Sequence, residues 1–430
     1  MEFLDLLRDN RNYRFTWMGQ VVSEIGDHFN NIAVFSLVLA NTGSGMMIAG
    51  VMLSRAIPAV MAGPLAGVLL DRMDRKRIMI TSDLVRAVVA VGFILTITAK
   101  GTTLLYLFSA LLMLASPFFT SGRSSILPTI ASKKELHTAN SLTQTTQWAT
   151  LTLGTFLGGT SVAQFGYRIA FVLNAFSFLF SAWCISRLKV KHGSFRPQRK
   201  SLTETDVVKP WHEYAEGLRY MRGTPLLLGI ALISVGWATG GGAAQILFSL
   251  FGELVFKRGP SGIGIIWASA GVGLLIGGTI AHQLGKRLGF ESYKKTIIIA
   301  YALHGTTYVI FSQMQSFAGA LIFIALSRAS VAISSVLNFG QLLRHVSDEY
   351  RGRVFSTIET VQWSVMMLSM MAAGIASQHT SPRTIGAVAG VLSGSTAIYW
   401  GLANWAGWLP EPGLSGVEPQ EIEVHGEPTV

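Results

Sequence analysis

The sequence predicts an all-α membrane protein of about twelve transmembrane helices, arranged as two pseudo-symmetric six-helix bundles. Three observations carry that expectation. Half of the 430 residues are hydrophobic, 13% are charged and the mean hydropathy is +0.45, too little polar surface for a soluble protein. Runs such as Val85–Ala99, Thr103–Phe119 and Thr296–Phe311 are apolar without alternation. That fits helices of ~20 residues crossing ~30 Å of hydrocarbon and not the ten-residue alternating strands of a membrane barrel. Finally, Ser132…Ser141…Thr145-Thr-Gln147-Trp148…Gly159 recurs 215 residues later as Ser347…Ser356…Thr360-Val-Gln362-Trp363…Gly374. A weaker match sets Gly67-Val-Leu-Leu-Asp71-Arg72 against Gly278-Thr-Ile-Ala-His282-Gln283. Duplicated halves with a path between them are a transporter architecture.

Polar clusters divide the chain into spans near 15–40, 46–70, 78–99, 102–122, 140–163 and 167–186, then 225–252, 262–284, 295–313, 316–340, 354–377 and 384–405. The expected domains are therefore an N-terminal bundle (1–186), a basic linker with an amphipathic helix (187–224), a C-terminal bundle (225–408) and an acidic, disordered tail (409–430). The N-terminus has no small-residue cleavage site, so span 1 is expected to be retained. Of the 34 Lys and Arg residues, Lys100, Arg168, Lys257, Arg258 and Arg383 fall in loops on one side. Arg55, Arg86 and Arg328 lie inside spans, and the other 26 fall on the side of the termini. Basic residues mark the inner face, so a bacterial cytoplasmic (inner) membrane with both termini cytoplasmic is expected.

The charge of +11 is spread over the loops and gathers on no soluble face, which argues against nucleic-acid binding. In the linker, Trp211, Tyr214, Ala215, Leu218 and Met221 recur at helical spacing between charges. That pattern suits a helix held in the headgroup layer by anionic lipid. Cys184 is the one cysteine; in an apolar run it reads as a packing residue. No Gly-x-Ser-x-Gly elbow, phosphate loop or His-Glu-x-x-His site is present, so neither an enzyme, a cofactor nor a metal is expected. Without a nucleotide motif, energy must come from a gradient.

The loop Gly67-Val-Leu-Leu-Asp71-Arg72-Met-Asp74-Arg75-Lys76-Arg77 offers a glycine for close helix approach and acid–base pairs four residues apart. It resembles the loop signature of the major facilitator superfamily at every charged position. Four further segments narrow the resemblance to the macrolide-efflux and enterobactin-exporter branch: Gly19-Gln-Val-Val-Ser23-Glu24-Ile-Gly26-Asp27, Leu127-Pro128 with Leu136…Ala139-Asn140-Ser141, Glu216-Gly217-Leu218-Arg219-Tyr220, and Arg351-Gly352-Arg353-Val354. The resemblance implies that Asp71 closes an inner gate against loop arginines and the start of span 11, near Arg353 and Glu359. Gly67, Asp71, Arg72, Asp74, Arg75, Arg77, Arg353 and Glu359 are thus the gate candidates. It also implies a cavity lined by spans 1, 2, 4, 5, 7, 8, 10 and 11. Two departures stand out: Gly154-Thr155-Phe-Leu-Gly158-Gly159 has threonine where antiporters of the family often have proline, and span 4 lacks a central arginine, Arg123 being the nearest.

Charge inside a membrane costs ~2.5–3.5 kcal/mol on insertion scales, so each buried charge needs a reason. Asp27 is the deepest acid, with Glu24 one turn below on the same face and Arg55 at similar depth on span 2. Two readings stand: a carboxylate that exchanges a coupling proton, assisted by Glu24 and poised by Arg55, or a static Asp27–Arg55 pair. Asp83 and Arg86, three apart on span 3, read as a structural pair. His28 and His304 read as packing histidines, and Arg328 either orients an anion or bonds carbonyls. The repeat-related Gln147, Trp148, Gln362 and Trp363 offer flat apolar surface and amides to a large amphipathic substrate, so these four and Arg328 are the cavity candidates. Tryptophan near a helix end also serves as an interfacial anchor.

The function expected is a secondary active transporter, monomeric and proton-coupled, exporting hydrophobic or amphipathic small molecules of the drug, macrolide or siderophore class by alternating access. The alternatives are uptake, lipid translocation in the same fold, or a membrane sensor that no longer transports.

Overall fold

The computed structural model describes residues 3–98, 102–189, 195–196 and 210–412. Most of the linker and the end of the acidic tail, with the expectations placed on them, lie outside these residues. Helix starts are set by side chains that satisfy orphan backbone donors. Asn10 accepts from Tyr13 N (2.9 Å) after α1 (Phe3–Asp9) and opens α2 (Arg11–Thr42). Gly43 closes α2 at φ 61°, a left-handed turn that costs glycine nothing. There follow α3 (Gly45–Arg72), α4 (Arg75–Gly92), the short α5 (Leu95–Thr98) and α6 (Thr103–Ile130). A Ser132/Glu135 capping box starts α7 (Lys133–Phe165), and α8 (Tyr167–Ser186) ends the first set. The linker helix α9 (Pro210–Gly223) leads to α10 (Pro225–Leu250), which runs into a π-turn at Phe251–Val255. Then come α11 (Gly259–Gly285), α12 (Phe290–Gln313), α13 (Phe317–His345), α14 (Asp348–Ala376), α15 (Pro382–Gly394) and α16 (Thr396–Trp405).

Among the described residues, nine helical segments are long and apolar enough to cross a membrane. Of the other long helices, α2, α7 and α12 have 32, 33 and 24 residues but too many polar side chains to meet that measure. Outer faces are apolar: Val88 is 72% exposed, Phe176 67%, Ile299 65% and Ile398 65%, a surface suited to lipid and not to water. The chain is a multi-pass membrane protein.

α2, α3, α4, α6, α7 and α8 pack among themselves, as do α10 to α15, and the two sets meet chiefly along α7–α11 and α3–α14. Buried side chains show how they meet. One cluster draws on both sets: Phe35, Val38 and Phe171 from the first, Phe248, Phe251 and Phe311 from the second. At the other end, where the Arg72–Arg77 loop and α9 lie, there are two separate clusters. Leu6, Tyr13, Met79 and Ile185 belong to the first set, and Ile230, Tyr293, Ile297 and Trp400 to the second. The molecule is joined at one end, hereafter the far end, and divided at the linker end.

Hydrocarbon gives helices no solvent-driven reason to associate, so close backbone approach must supply it. At the far end, a Cβ on Gly159 would lie 2.7 Å from Pro260 O and 2.9 Å from Gly264 Cα, and one on Gly374 2.6 Å from Ala49 Cβ. Ser36 donates to Glu253 Oε2 across the same seam (3.4 Å).

Candidate functional site

Between the two sets lies a cavity of about 720 Å³. Its walls are apolar and adaptable: Phe35, Met52, Met113, Trp267, Trp363, Met367 and Met370. Methionine and aromatic faces accept varied shapes. The lining comes from α2, α3, α6, α7, α10, α11 and α14. It reaches Ser356 and Glu359 near the linker end of α14, while Phe35 and Met370 mark its depth.

Of the expected cavity residues, Trp363 lines the cavity and is 44% exposed. Gln147, Trp148, Gln362 and Arg328 lie outside the lining, and α13 contributes none of it. Trp148 is turned onto α11, where a Cβ on Gly278 would meet its ring at 2.5 Å. Arg328 is buried in the second bundle with its guanidinium over the Phe248 ring, 5.1 Å from the centroid. His304 there bonds Ser327 Oγ (2.7 Å) and Ser393 Oγ (3.1 Å), as a packing histidine should.

Of the two readings of Asp27, the static pair with Arg55 is not what the polar face of α2 forms. Arg55 bonds the side-chain carbonyls of Asn31 and Asn30, the latter at 2.8 Å. Asp27 is half-buried and makes no hydrogen bond or ion pair with any described residue. A static Asp27–Arg55 pair is therefore not formed. Both asparagines sit one turn beyond Asp27 on the same helix and take the guanidinium instead. Glu24 is held in a network: Gln20 Nε2 donates to it (2.9 Å), as do Thr150 Oγ1 (2.7 Å) and Arg123 Nη1 (3.3 Å). Arg123 was placed at the end of span 4 by its charge; α6 continues through Pro128 to Ile130, which carries Arg123 onto the helix and to Glu24. Asp83 and Arg86 form a fully buried pair, with Phe119 and Phe178 rings flanking the guanidinium at 4.6 and 4.4 Å. His28, read as packing, lines the cavity.

The gate candidates are scattered at the linker end. Among the described residues, none lies within 4 Å of a notional Cβ on Gly67, so Gly67 packs closely against none of them in this arrangement. Asp71, Arg72 and Arg77 are exposed, and Asp71 has no ion pair among the described residues. The expected four-residue pair Asp71–Arg75 fails because the helix breaks between them. α3 ends at Arg72, Met73 is extended (φ −118°, ψ 172°) and Asp74 caps α4 by accepting from Arg77 N (3.0 Å). Arg75 donates to Ser125 O (2.8 Å). Arg353 pairs with Glu216 of α9 (2.9 Å), not with Asp71.

A model of the Major Facilitator Superfamily matches residues 16–370. Macrolide efflux protein A of Streptococcus pyogenes is 26% identical over 364 residues, covering 82% of this chain and 85% of that protein. The putative bacilysin exporter BacE of Bacillus amyloliquefaciens is 25% identical over 353 residues, covering 81% and 84%. Among solved structures, a bacterial homologue of the iron transporter ferroportin, in an inward-facing state, superposes with a TM-score of 0.67 at 17% identity over 91% of this chain and 98% of that one. It shares the fold.

Proposed function

The chain belongs to the Major Facilitator Superfamily, and from that premise we propose that it is a proton-coupled exporter of hydrophobic or amphipathic small molecules, seen here open to the cytoplasm. The observation that carries the proposal is the apolar cavity between the bundles, sealed at the far end by a shared core and divided at the linker end. Relatives named for macrolide and bacilysin export support that direction. In this reading the linker end, rich in Lys and Arg, faces the cytoplasm of a bacterial inner membrane with both termini, and the basic linker contacts anionic lipid. Residues 1–186 and 225–408 act as the two moving bodies of a monomer.

The cycle needs a group that trades protons and a gate that closes. Asp27, unpaired beside the cavity residue His28, is the proposed proton carrier, with Glu24 and Arg55 setting its field. A carboxylate with no fixed partner can gain or lose a proton without breaking an ion pair. The proposed gate forms when the linker ends of α3 and α14 approach: Asp71 meets the start of α14, near Arg353 and Glu359, and Trp363 leaves the cavity to pack on Gly67. Helix N-termini attract carboxylates. Trp148 on Gly278 is the repeat-related version of that last contact, already made.

Accumulation of macrolides, bacilysin and amphipathic dyes in cells with and without the protein tests the function. Lowered accumulation that a protonophore restores is the expected result; equal accumulation throughout contradicts export. Asp27→Asn keeps shape but not titration, so it should abolish substrate-driven proton movement in proteoliposomes while substrate still binds. Undiminished proton exchange rules Asp27 out and leaves Glu24 and Asp83 as the acids to test.

A further inference from the structure

Among the described residues, three arginines near the core sit beside a carboxylate and two, Arg55 and Arg328, bond none, although the charge of Asp27 acts on Arg55 without an ion pair. Arg86 has Asp83, Arg123 has Glu24 and Arg353 has Glu216; Arg328 rests on Phe248 away from the cavity. Arg55 is 92% buried, being 8% exposed, yet it lines the cavity with only the neutral carbonyls of Asn30 and Asn31 as acceptors. Its guanidinium carbon lies over the Phe35 ring, 5.7 Å from the centroid. Its Nε is buried with no hydrogen-bond partner, and so is the amide nitrogen of Asn30 beside it. A guanidinium has five donors in a fixed fork and cannot shed its charge. An uncompensated buried donor of that kind is costly unless something fills the place.

We propose that Arg55 is the anchor for a substrate anion, so that the cavity takes amphipathic monoanions: a carboxylate on Arg55, with the apolar body among Met52, Met113, Trp267 and Met370. This rests on the cavity being the substrate site. One guanidinium balances one negative charge, which favours a carboxylate over a doubly charged phosphate. Asn31 and Asn30 hold the two terminal nitrogens, one each, and leave Nε to complete a two-point contact. Ala49 of α3 meets Gly374 of α14; toward the linker end from that level Arg55 is six residues away and Glu359, the acidic lining residue, fifteen. The helix rise therefore places Glu359 about 13 Å nearer the mouth than Arg55, away from the bound head.

The test uses the purified protein in lipid nanodiscs with two fluorescent probes of one shape, dansylglycine and its neutral amide, dansylglycinamide. Saturable binding is read at equilibrium with no gradient. Wild type should bind the acid at least ~10-fold more tightly than the amide, the scale of a hydrogen bond to a charged group. Arg55→Gln should bring the ratio to about one, and Arg55→Lys should keep part of it. Because Arg55→Gln changes a buried position, Asn31→Asp provides a second route. It keeps Arg55 but gives it an internal carboxylate, and should also remove the preference. A wild-type ratio near one, no saturable binding of the acid, or a preference that survives Arg55→Gln or Asn31→Asp overturns the assignment. Export of amphiphiles by a protein with a ratio of one would overturn the anion site alone and leave the transport reading standing.

Discussion

The seam between the bundles has two sides related by the internal repeat, and they differ along their length. The shift that carries Gly67 onto Gly278 also carries Ala49 onto Pro260 and Val60 onto Gly271; the 215-residue shift carries Trp148, Thr152 and Gly159 onto Trp363, Met367 and Gly374. At the far end both sides are closed alike, Gly159 against Pro260 and Gly374 against Ala49. Midway they part: Gly271 is packed on Thr152, whereas Val60 and Met367 both face the cavity. Near the linker end Gly278 is packed on Trp148, whereas a Cβ on Gly67 would meet no described residue within 4 Å and Trp363 stands in the cavity. In the proposed cycle the closely packed α7–α11 side serves as the hinge and the open α3–α14 side as the door. Where glycines allow close approach, the seam is fixed; where Val60 stands in place of Gly271 and Met367 in place of Thr152, it is open.

The largest effect that should break this comparison comes from filling matched glycines. Gly278→Leu forces a side chain into the Trp148 ring and should destabilise by ~1–3 kcal/mol, read as a lowered Tm in detergent. Gly67→Leu meets open space and should leave Tm unchanged within about 0.5 kcal/mol, yet cut transport sharply because Trp363 loses its seat. Equal Tm losses at both sites would mean that the door is no looser than the hinge.

A second, smaller effect isolates the door from the fold. Asp71→Asn touches an exposed group that has no ion pair among the described residues, so the arrangement open at the linker end should keep its stability while the closed one loses a contact. A bias of ~1–3 kcal/mol changes the ratio of the two states roughly 5–150-fold, measurable as greater thiol labelling of a cysteine placed at Thr360. Unchanged labelling and transport would make Asp71 a topology residue.

The smallest effect concerns Arg353, now held by Glu216 of α9 with both side chains nearly a third exposed. Such a pair is worth ~0–1 kcal/mol. Glu216→Gln should therefore free Arg353 for the door and reduce Thr360 labelling by no more than about fivefold. Increased labelling would contradict a role for Arg353 in closure.

The fold and the repeat were legible because apolar runs and duplicated residues are local properties. The site was less so. Charge ended span 4 at Arg123 in the reading of the sequence, while α6 runs on to Ile130 and brings Arg123 to Glu24. Identical dipeptides at Gln147-Trp148 and Gln362-Trp363 suggested matching roles, but one tryptophan packs and the other faces the cavity. Helix periodicity cannot report such a difference, because it depends on how far the partner helix has swung away. The Asp27–Arg55 pair looked natural on depth alone; Asn30 and Asn31, ordinary polar residues in the sequence, intercept the guanidinium. His28 follows Asp27 in the chain but points about 100° round the helix from it, and nothing in the sequence marked that side as the cavity side.

The central claim is that the α3–α14 side closes at the linker end during transport. It is tested most directly in a Cys184→Ala background with two cysteine pairs. Gly67→Cys with Thr360→Cys spans the door, and Gly45→Cys with Ser377→Cys spans the far end, where a Cβ on Gly45 would lie 2.9 Å from Ser377 Cβ. Within disulfide reach after a small adjustment, the far-end pair should link spontaneously. The door pair should link through a short bifunctional thiol reagent only in the fraction of molecules whose far end is unlinked, and either link should stop transport until it is reversed. Active transporter in which the door pair never links, or transport that continues with it linked, would contradict the account.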